Sequence, residues 1–466
     1  MGFINIKYEQ FKDYIKGKNT AVIGIGVSNT PLAKFLLKLG AKVTAFDKNS
    51  KEQLGDFYKE LKDLDVNFCL GEDYLKNLKG FDVIFKTPVI RYDLPELIEA
   101  QKQGAVITSE MEVFLDICPS RIFGVTGSDG KTTTTTLIYK ILSQEGYKCW
   151  LGGNIGTPLL DKIEEISPTD MVVLELSSFQ LHTSKISPQT AVITNLAPNH
   201  LDIHKSMEEY IDAKKNIYLY QKTGDRLVLN FDNEITREMA NEAKGEVVLF
   251  SRFSEIEGVC MSKDSIVINK NGKVTQIMGI NEILIPGIHN VENYLTAIAA
   301  IYDIVSAESI RAVAKTFAGV AHRIELVREY KGVKYYNDSI ASSPTRTIAG
   351  LNAFKQKVIL IAGGYDKKIP YDTMGAAIID KVKRLILIGQ TGHKIKQAYL
   401  DECKNRNIQP KIPVLEGSTL EEAVKIAYNE SIEGDIVILS PASASFDMFR
   451  NFEERGIIFK EVVSLL

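Results

Sequence analysis

The sequence predicts an α/β protein of three domains: a Rossmann-like N-terminal domain, a central phosphate-loop ATPase-type domain with a small antiparallel annex, and a C-terminal Rossmann-like domain. Two observations carry this. Short Val/Ile-rich runs ending in glycine loops and followed by helical periodicity recur along the chain, the pattern of parallel sheets. The length of 466 residues corresponds to about three domains at ~150 residues each. The expected divisions are 1–112, 113–321 and 322–466.

The first unit of the pattern is NTAVIGIGVSN, then PLAKFLLKLG, then AKVTAFD. Pro31 near the helix start and Gly40 after its last apolar residue fit helix punctuation. The second is RIFGVTGSDGKTTTTTLIYKILSQEG. Residues 225–286 change texture: RLVLN, EVVLF, SIVINKNGKVTQIMG and EILIPG read as short strands with an Asn271-Gly272 hairpin and no long helix, hence the annex. The last cluster, KVILIAGGYDKK, RLILIGQTG and DIVILSPASAS, reads as three strands ending in polar or glycine loops.

Composition narrows the function. There are 56 Lys+Arg against 59 Asp+Glu, a net charge of −3, which lacks the basic excess of a nucleic-acid binder. Apolar residues at 45 % and charged residues at 25 % describe an ordinary globular protein. The five cysteines are scattered and form no CxxC pair, so neither a disulfide framework nor a zinc site is expected. No secretory signal and no apolar run long enough to span a membrane is visible. A cytoplasmic location, without membrane or nucleic-acid partners, is therefore expected.

The chemistry starts at RIFGVTGSDGKTTTTT. Gly127 and Gly130 let backbone N–H groups turn toward a phosphate at a helix N-terminus. Lys131 can reach β and γ phosphates, and the Thr132 hydroxyl can ligate Mg²⁺. The strict GxxxxGK[ST] pattern is not met, because its first glycine falls on Val125. Glu175 ends the apolar run MVVLE, where a carboxylate can serve nucleotide-bound Mg²⁺. Asn199, His200, Asp202 and His204 follow another strand, at the sheet edge where α/β ligands bind, although a surface loop explains them almost as well. Lys214 and its neighbour Lys215 read equally well as solvated lysines. GIGVSN resembles a dinucleotide fingerprint with Asn29 at the third glycine position, and Asp47 lies near where an acid would meet a ribose.

Taken together, GSDGKTT, GGNIGTP, ELSSFQL, NHLD, DAK, PGIHNVEN, AHRIE, NDS and SPASASFDMFRNFEERG resemble the Mur ligase family, ATP-dependent amide-forming enzymes of peptidoglycan precursor synthesis. The ELSSFQL form and the last motif are most similar to the members that add D-glutamate to UDP-N-acetylmuramoyl-L-alanine through an acyl phosphate. The resemblance implies that Gly127, Ser128, Asp129, Gly130, Lys131, Thr132 and Thr133 hold ATP. Thr132, Glu175, His200 and a carbamylated Lys214 would hold Mg²⁺ at two sites, with Lys131, His200 and Lys214 catalytic. Asn154 would position phosphates and the second metal. Asn290 and Asn293 would face adenine, Arg323 the γ phosphate and Asp338 the ribose. Gly26, Val27, Ser28, Asp47 and Lys48 would line the UDP pocket. Ser342, Lys367, Ser445 and Phe452 would hold D-glutamate, and the chain would work as a monomer.

One departure concerns NDSIASSP: better-known members follow NDS with a lysine, and this chain has Ile340. Lys367, Lys368 or Arg346 would then supply the carboxylate contact. Ile340 keeps open a sister ligase, or a folylpolyglutamate-type ligase, adding another amino acid. A nicotinamide-dependent oxidoreductase or an ATP-driven binding protein is a further reading. Asn29 in the broken fingerprint counts against the first of these, and the lack of a DExx motif against the second.

Overall fold

The computed structural model describes residues 3–197 and 204–466. It divides into two compact units, Met1–Ile280 with Glu292–Val313, and Asn281–Val291 with Ala314–Leu466. The expected three-domain α/β architecture is present as three sheets, two in the first unit and one in the second. Residue 112 falls inside helix Glu110–Ile117. Residues 281–291 and 314–321 go with the second unit. Among the described residues, no helix is long and apolar enough to cross a membrane.

The first sheet contains β1 (Asn19–Ile23), β2 (Lys42–Asp47), β3 (Val66–Leu70), β4 (Val83–Lys86) and β5 (Val106–Thr108). Its order is β3-β2-β1-β4-β5, with every pair parallel. The strand order reverses between β1 and β4, so their carboxyl ends form the crevice where such sheets bind ligands. After β1 comes helix Asn29–Lys38, with Gly40 in the left-handed region at φ 82°.

The second sheet contains β6 (Arg121–Thr126), β7 (Cys149–Gly153), β8 (Met171–Glu175), β9 (Thr190–Ile193), β10 (Arg226–Asn230), β11 (Glu246–Ser251), β12 (Gly258–Ser262), β13 (Ser265–Lys270) and β14 (Lys273–Gly279). Its order is β14-β13-β12-β11-β10-β9-β6-β8-β7. The antiparallel part is smaller than the sequence texture suggests. RLVLN and EVVLF are β10 and β11, parallel members of the main sheet joined through the short helix Glu234–Glu238. Only β12–β14 run antiparallel, with Asn271 and Gly272 both at positive φ in the hairpin turn. EILIPG forms no strand; a single 3₁₀ turn covers Ile280–Glu282. Short apolar runs look alike whether the next strand is reached by a hairpin or by a brief helix, which is why the texture overstated the annex.

In the second unit, β15 (Glu325–Tyr330), β16 (Val333–Asn337), β17 (Val358–Gly363), β18 (Val382–Ile388), β19 (Val414–Glu416) and β20 (Ile436–Leu439) take the order β15-β16-β20-β17-β18-β19. All pairs are parallel except the β15–β16 hairpin at the edge. Alternation places Leu360, Ala362 and Ile438 in one core and Ile359, Ile361, Val437 and Leu439 in the other. Both faces are therefore covered, as a parallel sheet requires.

Candidate active site

β6 delivers the chain to the loop 127–130 and the helix Lys131–Glu145. Gly127 lies at φ 145° and Gly130 at φ 78°. A Cβ on Gly127 would run into the Thr194 hydroxyl, and one on Gly130 into Asn293 Oδ1. Glycine is thus demanded twice over, by conformation and by space. The loop is sewn to the segment after β9: Ser128 N donates to Asn195 O (2.8 Å), and Ala197 N donates to Ser128 Oγ (2.9 Å). Ser128 Oγ also bonds Tyr210 OH at 3.0 Å, so this hydroxyl shapes the loop. Five successive threonines are tolerated at the helix start, where the Thr135 and Thr136 hydroxyls donate to the carbonyls of Lys131 and Thr132.

Lys131, Lys214 and Glu175 meet at this loop. Lys131 Nζ donates to Gly127 O (2.8 Å) and Ser128 O (2.9 Å). Lys214, at the end of helix Met207–Lys215, is 1 % exposed and donates to Thr126 Oγ1 (3.0 Å) and Gly127 O (2.9 Å). Burial pushes its ammonium well below its ordinary pKa; Lys131 pushes the same way and Glu175 opposes. Lys215, by contrast, turns outward to pair with Glu242. The residue pattern alone does not separate the two adjacent lysines, because helix rotation decides which one faces the sheet; the family resemblance singles out Lys214.

Glu175 closes β8 in register with Val125 of β6 and is buried. Its Oε1 accepts from Asn154 Nδ2 (2.8 Å), and its carbonyl accepts from Asn154 N (2.8 Å). Asn154 therefore orients the carboxylate. Oε2 is buried with no hydrogen-bond partner among the described residues. An orphaned carboxylate oxygen beside a phosphate loop fits a divalent cation. Among the described residues no group of three His, Cys, Asp or Glu side chains forms a complete cage. Asn199, His200 and Asp202 lie outside the described residues.

His204 is buried, shares a hydrogen bond with Ser178 Oγ at 2.9 Å and stacks flat on Phe179. Ser177 and Gln180 form a reciprocal capping box that builds the turn just after Glu175.

At the first sheet, Asn29 Nδ2 donates to Ile23 O (2.9 Å), so the residue replacing the third glycine caps β1. Asp47 Oδ2 accepts from Ile25 N (2.7 Å) and Oδ1 from Asn49 N (2.8 Å). Each oxygen of the acid expected at a ribose thus already holds a backbone turn. Val27 and Lys48 are exposed beside them.

In the second unit, Asp338 follows β16 and is buried, with Ser440 Oγ donating to its Oδ2 at 2.7 Å. Burial raises its pKa to about 7. An unfolded Asp titrates near ~3.9. Stability from the retained proton is therefore complete below about pH 4 and lost as the pH rises toward about 7. Melting of the wild type should decline relative to Asp338→Asn between about pH 4 and pH 7 and run parallel above that. Curves parallel throughout would exclude this titration.

Arg455 is fully buried and was not singled out by sequence reading. It donates to Ser339 Oγ (3.0 Å) and Ser339 O (2.8 Å), and to Ser443 O (3.2 Å) and Ala444 O (3.1 Å). It clamps the loop after β16 to the loop after β20, which carries buried Ser445. Arg455→Met should lower stability by at least about 2 kcal/mol, because several buried acceptors lose their donor; unchanged urea unfolding would refute the clamp.

Phe452 opens helix Phe452–Ser464, and its carbonyl accepts from Ser339 Oγ. Arg346 Nη1 donates to Ile340 O at 3.3 Å, whereas Lys367 and Lys368 are exposed in the loop after β17. Ser342 N donates to Ile340 O. Asn290 and Arg323 belong to the second unit and Asn293 to the first.

A glycine-demanding loop between a parallel strand and a helix, with a buried lysine and acid beside it, places the chain among α/β proteins whose loops are built like phosphate sites. The chain matches the Mur ligase MurD-like N-terminal domain over residues 18–109, the Mur ligase middle domain over 125–301, and the Mur ligase glutamate ligase domain over 322–443. It is 61 % identical over 462 residues, 99 % of each chain, to the UDP-N-acetylmuramoylalanine--D-glutamate ligase of Acetivibrio thermocellus. It is 58 % identical over 464 residues to the ligase of the same name from Ruminiclostridium cellulolyticum, covering 99 % of this chain and 100 % of that one. The fold is similar to the crystal structure of UDP-N-acetylmuramate-alanine ligase from Thermotoga maritima, with TM-score 0.58 and 19 % identity over 96 % of this chain and 99 % of that one. The chain belongs to the Mur ligase family.

Proposed function

We propose that this chain joins D-glutamate to UDP-N-acetylmuramoyl-L-alanine at the expense of ATP, as a cytoplasmic monomer. The observation that carries the chemistry is the meeting of Lys131, Lys214 and Glu175 at the phosphate loop. The names of the relatives at 61 % and 58 % identity support the substrates.

In this reading, the N–H groups of residues 127–133 and the Lys131 ammonium hold the ATP phosphates. The substrate carboxylate attacks the γ-phosphorus, ADP leaves, and an acyl phosphate forms. The D-glutamate amine then attacks the acyl carbon and phosphate departs. Lys131 and Arg323 offset charge on the transferring phosphoryl group, which is work of positioning and electrostatics. Thr132, Glu175, His200 and Lys214 would hold Mg²⁺ at two sites, with Asn154 orienting Glu175. Bound Mg²⁺ would neutralise phosphate charge and polarise the phosphoryl group. Lys214 joins that set as a carbamate: its neutral amine adds to CO₂ and a proton is released, converting a buried cation into an anionic oxygen ligand. The depressed pKa of Lys214 supports this, since only the neutral amine is nucleophilic.

Gly26, Val27, Ser28, Asp47 and Lys48 line the UDP pocket, with Asp47 acting through the turn it holds. Asn290 and Asn293 face adenine and Asp338 the ribose. Ser342, Lys367, Ser445 and Phe452 surround D-glutamate. The position of Arg346 against Ile340 O favours it as the cation for the amino-acid carboxylate. Arg346→Ala should raise the KM for D-glutamate by about 10-fold or more with kcat little changed; an unaltered KM would move the role to Lys367 or Lys368.

The decisive assay is phosphate release with ATP, Mg²⁺ and UDP-N-acetylmuramoyl-L-alanine, offering D-glutamate, L-lysine and meso-diaminopimelate separately. Release is expected with D-glutamate alone. Release with either of the others but not D-glutamate would overturn the reading.

A further inference from the structure

The helix Glu110–Ile117 links the first sheet to the second, lying between β5 and β6 in the chain. Ser109 caps it, its hydroxyl accepting from Glu112 N (3.2 Å). Two acids in its first turn reach different segments. Glu110 is buried, and its Oε1 accepts from Leu160 N (3.3 Å) in the segment after β7. Glu112 Oε1 accepts from the Thr183 hydroxyl, beyond the turn Ser178–Leu181 that follows Glu175. Its Oε2 accepts from Thr108 Oγ1 (3.1 Å).

Both gripped segments lead to Glu175. From Leu160 the chain runs back to Asn154, whose side chain and backbone N–H both hold Glu175. That stretch is stiff: a Cβ on Gly152 would strike the Leu159 side chain, and one on Gly156 would strike Leu151 O. Residues 156 and 159 therefore lie directly on β7, and close packing of this kind transmits a displacement rather than absorbing it. On the other side, the capping box of Ser177 and Gln180 fixes the turn between Glu175 and Thr183. Burial raises the Glu110 carboxyl to about 7, with Leu160 N opposing and Asp161 adding to the rise. The neutral carboxyl still offers a carbonyl oxygen to Leu160 N, so the grip needs an acceptor and not a charge.

We infer that Glu110 and Glu112 are positioning residues for the Glu175 carboxylate, the first acting through the segment that carries Asn154 and the second through the segment after β8. This rests on the reading above that Glu175 holds Mg²⁺. Groups that orient a metal ligand from behind set the affinity of the site, because a ligand already held in place loses less freedom when the cation binds. The linker helix is thus more than a connection: its first turn fixes the acid of the second sheet from two sides.

The test measures calorimetric affinity of the full chain for a non-hydrolysable ATP analogue with and without Mn²⁺, the ratio being the gain the metal supplies. Glu110→Ala should cut that gain by about 10-fold and leave the metal-free affinity unchanged. Glu110→Gln, which keeps the acceptor, should retain the wild-type gain. Thr183→Val, which removes one hydroxyl, should lower it in the same direction and decides the matter if Glu110→Ala does not fold. In an Asn154→Ala background, Glu110→Ala should cost little more, since its effect runs through Asn154. An unchanged gain in Glu110→Ala or Thr183→Val overturns the inference. So does an equal fall of both affinities, a glutamine variant that behaves like alanine, or full additivity with Asn154→Ala. A wild-type chain that gains nothing from Mn²⁺ refutes instead the reading of Glu175 as a metal ligand, a distinguishable outcome.

Discussion

Lys214→Ala abolishes ligation, by about 10³-fold or more in kcat, and acetate or formate restores part of the activity. The magnitude follows from removing a charge-bearing group at the phosphoryl-transfer centre. Rescue follows because alanine leaves a cavity beside Thr126 and Gly127 in which a small carboxylate can lie where the carbamate oxygens would. Lys214→Arg should be inactive and resist rescue, since guanidinium does not become a carbamate and fills the space. Circular dichroism should show both variants folded. Near-normal kcat in the alanine variant would remove Lys214 from catalysis, and equal rescue of the arginine variant would remove the carbamate.

Gly127→Ala should lose ATP binding and destabilise the fold. Its backbone lies at φ 145°, a region costing a non-glycine residue about 1–3 kcal/mol. The new methyl would also displace Thr194, whose hydroxyl ties the loop to Asp129 O and Thr126 O. A control comes from Gly26→Ala: Gly26 is absent from the positive-φ glycines, and its added Cβ meets nothing within 4 Å. That variant should melt like the wild type. Calorimetric titration with ATP and thermal melting decide both outcomes; wild-type ATP affinity in Gly127→Ala would show that the loop geometry does not govern nucleotide binding.

Much of the site was legible because the chemistry is local. The phosphate loop occupies consecutive residues between one strand and one helix, so 127–132 announce themselves by glycine, lysine and threonine in order. Glu175 was readable as the single acid ending an apolar run. Other features depend on contacts across long stretches of chain. Lys214 and Lys215 differ only by the helix face that meets β6. Asp47 reads from the sequence as an acid near a ribose, and only the structure shows that its oxygens also hold Ile25 N and Asn49 N. Arg455 lies 116 positions from Ser339, a separation no local pattern reveals. The annex was overread because β10 and β11 carry the same apolar texture whichever way they run.

The sequence by itself determined the α/β class, the three sheets and the phosphate loop, because strand and helix periodicities and glycine requirements act within a dozen residues. Only the tertiary structure decided which charges are buried: Lys214 at the loop, Lys86 at the edge of the first sheet, Asp338 and Arg455 in the second unit. The physical reason is that burial and charge compensation are properties of what packs around a side chain, and in each case those neighbours come from distant parts of the chain.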